Sequence, residues 1–232
     1  MPDVGFRYIL LGGLAIALVI AAATDLKRRQ IDNWLNGAIA LTAPLYWWAS
    51  GLSLWPDVAW QLGLALAVFT LFAIAFAKGG MGGGDVKLLA ALALWMPPLV
   101  FFSILFLTSL VGGAMSMVAG ARNLSLEPGQ TAKRRLAIGS TAVWVLGSCY
   151  IAWVMNGGAG FGLAAVLPGF VITAGLIALF LFTISGALIV ARNQKSRLPV
   201  PYGLAISTGG LLVLLTQFLP PARTVFAASG IG

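Results

Sequence analysis

The chain of 232 residues has only six acids: Asp3, Asp25, Asp32, Asp57, Asp85 and Glu127. Two of them stand in settings suited to chemistry. Asp25 closes the apolar run that begins at Tyr8, in Ala22-Ala23-Thr24-Asp25-Leu26-Lys27. Asp85 follows Gly79-Gly80-Met81-Gly82-Gly83-Gly84 and opens another apolar run. Ionisable groups near a bilayer are costly, so they face a protein interior or a water-filled cavity. Two carboxyl groups in one cavity do not ionise easily together. The protonated one serves as general acid and the other activates water as general base. Such a pair hydrolyses a bond without metal or cofactor, and none is expected. A plainer reading accounts for the same residues. Asp25 then ends a helix beside Lys27, Arg28 and Arg29, Asp85 is a helix N-cap, and the glycines form a turn. The glycine run lacks the Gly-x4-Gly-Lys-Ser/Thr spacing of a phosphate-binding loop. Residue chemistry alone leaves both readings open.

The elements that position these acids follow from composition. The chain is 60% hydrophobic and 9% charged, against about 25% charged in an average soluble domain. Its solvent is therefore mostly lipid. One cysteine, Cys149, excludes a disulfide framework, and without histidine most zinc sites are excluded too. The net charge of +8 marks topology rather than nucleic-acid binding, because Lys and Arg collect in cytoplasmic loops.

Uncharged runs separate the basic clusters. They cover 8–24, 33–56, 58–77, 88–121, 136–191 and 198–222. A crossing helix needs about 20 residues. The run 136–191 is too long for one crossing and is expected to break at Gly157–Gly162 and Pro168. The run 88–121 is expected to break at Pro97-Pro98. Its first piece, from Asp85 to Met96, is short for a crossing, but both flanking loops are basic and an even number of passes must join them. The expected fold is all-α and polytopic, with about eight transmembrane helices (six to eight) and both termini on the outer, periplasmic side. Of the 14 basic residues, all but Arg7 and Arg223 then lie at the cytoplasmic face. The first run has a weak positive start and no cleavage-like stretch before Lys27-Arg28-Arg29, so it reads as a retained helix rather than a signal peptide. Asp57 reads as an outer-face helix cap, and 122–135 as a polar cytoplasmic loop.

Three stretches resemble one family. Gly82-Gly83-Gly84-Asp85 matches the Gly-x-Gly-Asp signature of membrane aspartyl proteases, and its continuation Val86-Lys87-Leu88-Leu89-Ala90-Ala91 resembles the type IV prepilin peptidases. Asp25, Ile31 and Asn33 align with that family's first motif, an Asp followed six residues later by Ile-Pro-Asn. Asp32 stands where the family has Pro, and reads as a solvated loop acid. Leu198-Pro199-Val200-Pro201-Tyr202-Gly203-Leu204-Ala205 resembles a third element, a Pro-aromatic-Gly stretch opening the last helix. The resemblance covers most of 7–121 and again 186–215. It implies a single integral membrane peptidase domain over 1–232, with 122–185 as an inserted segment carrying an extra helix pair.

The resemblance implies an aspartyl endopeptidase of the bacterial inner membrane, with its active site at the cytoplasmic face and Asp25 and Asp85 catalytic. Prepilins would be the substrates, cut after a glycine behind a basic leader, with pilus or secretion assembly machinery as further partners. No cysteine lies in the N-terminal half for the zinc site of the larger, methylating members. The chain therefore resembles the short, peptidase-only branch serving Tad/Flp-type pili. Gly82 and Gly84 are expected to let substrate backbone approach, since a side chain there would block it. Lys87 is expected either to tune a carboxylate or to snorkel to the interface. Pro201, Tyr202 and Gly203 either position the substrate strand or simply begin a helix. The rival reading is a small transporter or pilus-assembly subunit whose aspartates bind cations or relay protons.

Overall fold

A computed structural model describes residues 4–122, 130–155, 182, 184–190, 192–193 and 200–218. The expected break at Gly157–Gly162 and Pro168, the turn at Glu127–Gly129 and the start of the last apolar run lie outside these residues. The described secondary structure is helical, without a strand. In chain order it comprises α1 (Val4–Arg28), α2 (Asn33–Ala49), a π-helical turn (Leu54–Val58), α3 (Ala59–Ala77), α4 (Gly83–Ala93), α5 (Pro98–Arg122), α6 (Thr131–Met155) and α7 (Tyr202–Phe218). Among the described residues, three stretches are long and apolar enough to cross a membrane: Val4–Arg28, Leu54–Ala77 and Pro98–Arg122.

The chain divides into two compact units, 1–109 with 201–232, and 110–200. Helix α5 begins in the first and ends in the second. In the second, Trp144 of α6 donates its indole N–H to the Leu110 carbonyl at 3.3 Å. Gly113 lets that ring lie close on α5, where a Cβ would come within 2.9 Å of it.

The described residues that line or hold the two aspartates belong to the first unit. Helix α1 continues past the apolar run through Asp25 to Arg28, because Lys27 and Arg28 in its last turn suit the negative end of the helix dipole. Its buried face is Leu11, Leu14, Leu18, Ala21 and Asp25. That spacing of three and four is one helical stripe, so Asp25 points where the leucines point. Arg29 then takes a left-handed conformation, φ 56°, and turns the chain out of the helix.

Helix α4 is the centre of the unit. It has 11 residues, about 16 Å at 1.5 Å per residue, roughly half the thickness of a hydrocarbon core. Asp85, Val86, Leu88, Leu89, Ala91, Leu92 and Ala93 are all buried, since α2, α3 and α7 pack around it. The break at Pro97-Pro98 falls where expected: α5 begins at Pro98, the first-turn position that tolerates a missing N–H. Beyond α4, Trp95 donates to the Ile39 carbonyl and Trp47 to the Leu94 carbonyl, both at 2.7 Å. Tyr46 stacks on Trp95 at 5.0 Å. These bonds tie α2 to the end of α4 and give the indole N–H groups partners in an apolar setting.

Two expected features have sharper forms. Asp57 accepts bonds from the Ser53 N–H at 3.1 Å and the Ser53 hydroxyl at 2.9 Å, closing the turn before α3. Gly79, φ 71°, ends α3 with its N–H on the Phe76 carbonyl, while the Gly80 N–H reaches the Ala75 carbonyl. That pair of bonds is a Schellman stop, which requires the left-handed residue.

Candidate active site

Asp85 is the third residue of the first turn of α4, and Gly82 is its N-cap. From that position a carboxylate reaches back to the N-cap N–H, and it bonds the Gly82 backbone. The plain capping role and a chemical role thus use the same side chain. A Cβ on Gly82 would stand 2.8 Å from Asp85 Oδ2, so only glycine leaves the carboxylate where it is. Asp85 opens α4 on the side of the glycine loop, outside the three long apolar helices. Burial, and then the neighbouring Asp25 charge, push its pKa up to about 6, against the opposing Gly82 hydrogen bond.

Asp25 arrives from α1 and is 5% exposed; Asp85 is 8% exposed. The Leu204 backbone N–H, in the first turn of α7, donates to Asp25 Oδ2 at 3.0 Å. A helix N-terminus is a natural partner for a carboxylate. Gly203 lies against the same group: a Cβ there would be 2.9 Å from Asp25 Cγ and Oδ2, and 2.6 Å from Ile31 Cδ1. Ile31 is wedged between α7 and the glycine loop. A Cβ on Gly84 would be 3.2 Å from Ile31 Cβ and 3.3 Å from its carbonyl oxygen.

One open cleft of about 330 Å³ is lined by both aspartates, by Gly82, Gly83 and Gly84, and by the loop 29–33. The residues singled out from the sequence therefore separate into three groups. Asp25, Asp85, Gly82 and Gly84 meet in the cleft. Gly203 stands behind Asp25, at the start of α7 with Pro201 and Tyr202, none of which lines the cleft. Lys87 does not line it and donates to Asn33 Oδ1, at its edge, at 2.8 Å. Asp32 forms an exposed ion pair with Arg28 at 3.0 Å. Its φ of −66° is the value proline imposes, so an aspartate here keeps the loop geometry the family motif would have.

Two further residues contribute through contacts that the sequence does not show. Ile31 matters through its packing on two glycines. Asn36, 4% exposed, donates to the Gly84 carbonyl at 3.1 Å and pins the glycine loop to α2. Its spacing from Asn33 places it on α2, and nothing in the sequence says that its amide reaches 48 residues along the chain.

Two buried carboxyl groups facing one water-accessible cleft, one with a raised pKa and one held by a helix N-terminus, can divide acid and base roles. Among the described residues no group of three or more His, Cys, Asp or Glu is placed to hold a metal ion. Residues 13–117 match the model of the type IV leader peptidase family. Both Asp25 and Asp85 fall inside the match, while α7 lies beyond it. Comparison with curated proteins and with solved structures gives no match.

The coupling of the two acids is measurable. Asp25→Asn removes the like charge but not the burial. The Asp85 pKa is then expected to fall from about 6 while staying above the ordinary Asp value of about 3.9. Infrared titration of the protonated carboxyl band checks this, and an unchanged or higher midpoint contradicts it.

Proposed function

We propose that the protein is a prepilin leader peptidase, an aspartyl endopeptidase that hydrolyses the bond between a basic leader and an apolar segment at the cytoplasmic face of the inner membrane. The observation that carries this reading is the single cleft lined by Asp25 and Asp85 within the segment matching the leader peptidase family. Below about pH 6 Asp85 holds its proton and donates it to the leaving amine. Asp25, held by the Leu204 N–H, accepts a proton from the attacking water. The water oxygen bonds the scissile carbonyl carbon, the C–N bond breaks, and the pair exchanges roles to reset. Gly82 and Gly84 leave the cleft wall bare of side chains, so an extended substrate backbone fits beside the carboxylates. Pro201, Tyr202 and Gly203 act indirectly, by setting the α7 N-terminus that holds Asp25. Lys87 acts through Asn33, at the edge of the cleft.

The topology belongs to the same proposal. The basic loops lie at the cytoplasmic face, about eight helices cross the bilayer, and 122–185 is an inserted segment with an extra helix pair. The resemblance to the short branch carries the expected substrates to Flp-type prepilins.

The test is processing in cells of a co-expressed precursor pilin. Asp25→Ala and Asp85→Ala each leave the precursor uncut while the variant accumulates in the membrane. Normal processing by either variant removes that residue from the site, and processing by both removes the reading. Asp32→Pro is expected to cut within about fivefold of the parent rate, since an exposed ion pair is worth at most about 1 kcal/mol. A loss comparable to that of Asp25→Ala would assign Asp32 a catalytic part.

A further inference from the structure

A second cavity, of about 380 Å³, lies beside the cleft and between α2, α3 and α4. Asn33 lines both, so the two adjoin at the first turn of α2. Away from the cleft the groove becomes apolar. Its polar end is Asn33 with the Lys87 ammonium bonded to it, and its floor is made of the small residues Gly37, Ala40, Ala65, Ala90 and Ala91. From residue 33 to 40, and again from 87 to 94, each wall extends about 10 Å along its helix axis.

Two details show what fits. Gly37 sits inside α2, where glycine is a poor helix former, yet a Cβ there would meet nothing within 4 Å. Internal packing does not call for the glycine; the space above it is empty. Asn36 lines the same groove, is 4% exposed, and its buried Oδ1 has no donor among the described residues. A polypeptide brings N–H donors, and the first turn of a helix carries four without an intrahelical partner. A lipid acyl chain brings none. Small residues also allow the close approach of two helix backbones in a membrane.

We propose that this groove seats the apolar segment of the precursor that follows the scissile bond, its first turn at Asn33 and Lys87 and its body along Gly37, Ala40 and Ala90. The inference rests on the leader peptidase reading, and it names the part of the chain that determines which substrates are held. The apolar part of a chain cut in the cleft needs an apolar seat beside it, and this groove adjoins the cleft at Asn33 and runs along α2 and α4.

Cross-linking tests it. Asp85→Asn holds the precursor uncut, and Cys149→Ser removes the only native cysteine. In that background Ala40→Cys, in the groove, is expected to form a disulfide with a cysteine in the first turns of the precursor's apolar segment. Leu41→Cys, next to it but 80% exposed, is expected to form none. Gly37→Leu should then weaken the cross-link, and in the otherwise native chain slow processing, at least tenfold, with a melting temperature no lower than the parent's. Cross-links from both positions or from neither, a bound phospholipid in place of the precursor, or an unaffected Gly37→Leu variant would overturn the proposal. If the native chain cuts a precursor but Ala40→Cys captures nothing, the groove assignment alone falls. If the native chain cuts no precursor, the peptidase reading falls with it.

Discussion

Asp85→Asn and Asp25→Asn are each expected to lower the initial rate of precursor cleavage by about 10³-fold or more. A positioned acid or base contributes roughly 10²–10⁴-fold, and each carboxyl serves as both during a turnover. The amide variants isolate this effect because they keep the architecture. In Asp85→Asn the amide oxygen still accepts from the Gly82 backbone, and in Asp25→Asn it still accepts from the Leu204 N–H. Asp85→Asn also removes a charge that burial and Asp25 disfavour, so its melting temperature above pH 6 should equal or exceed the parent's. Purified protein assayed for rate and melting together checks both halves. A variant that keeps a tenth of the activity, or loses it only by unfolding, contradicts the role assigned to that residue.

Gly203→Ala is expected to lower activity by about 10²-fold, although Gly203 itself does not line the cleft. The added methyl would lie 2.6 Å from Ile31 Cδ1 and 2.9 Å from the Asp25 carboxylate. Ile31 has little room to retreat, since Gly84 packs on its other side. Asp25 must move instead, and a displacement near 1 Å costs a rate of that order. Overpacking adds a stability loss of about 1–3 kcal/mol. Ile31→Val deletes Cδ1 and separates the two effects. In the double variant most of the stability should return and most of the activity should not, because the methyl still meets Asp25. Full recovery of activity would mean that Gly203 serves only packing.

These expectations also show what the sequence made legible. The two aspartates stand out because acids are rare in so apolar a chain, the glycine loop and the start of the last helix because they match motifs of one family, and Pro98 opens α5 as its chemistry dictates. The direction of Asp25 was available too, in its spacing from Leu11, Leu14, Leu18 and Ala21, although charge patterning draws the eye to the end of the run instead. What stayed hidden is tertiary. Nothing local shows that the Leu204 N–H reaches back 179 residues to Asp25, or that Ile31 fills the gap between two glycines. Gly79 resembles a flexible residue until the Schellman bonds of α3 show why it is required. Lys87, two residues from Asp85, looks like a partner for that acid. A helical turn of about 100° per residue directs it to Asn33 instead.

The central claim is that the cleft holding Asp25 and Asp85 hydrolyses a leader peptide bond. The most direct measurement is mass spectrometry of a purified precursor pilin after incubation with the purified protein in lipid vesicles, run in ¹⁸O-labelled water. Two fragments are predicted, with the cut at the junction of basic leader and apolar segment and one ¹⁸O in the new leader carboxyl, and no fragments with Asp25→Asn or Asp85→Asn. An intact precursor with the native protein, or the same fragments with either variant, would contradict it.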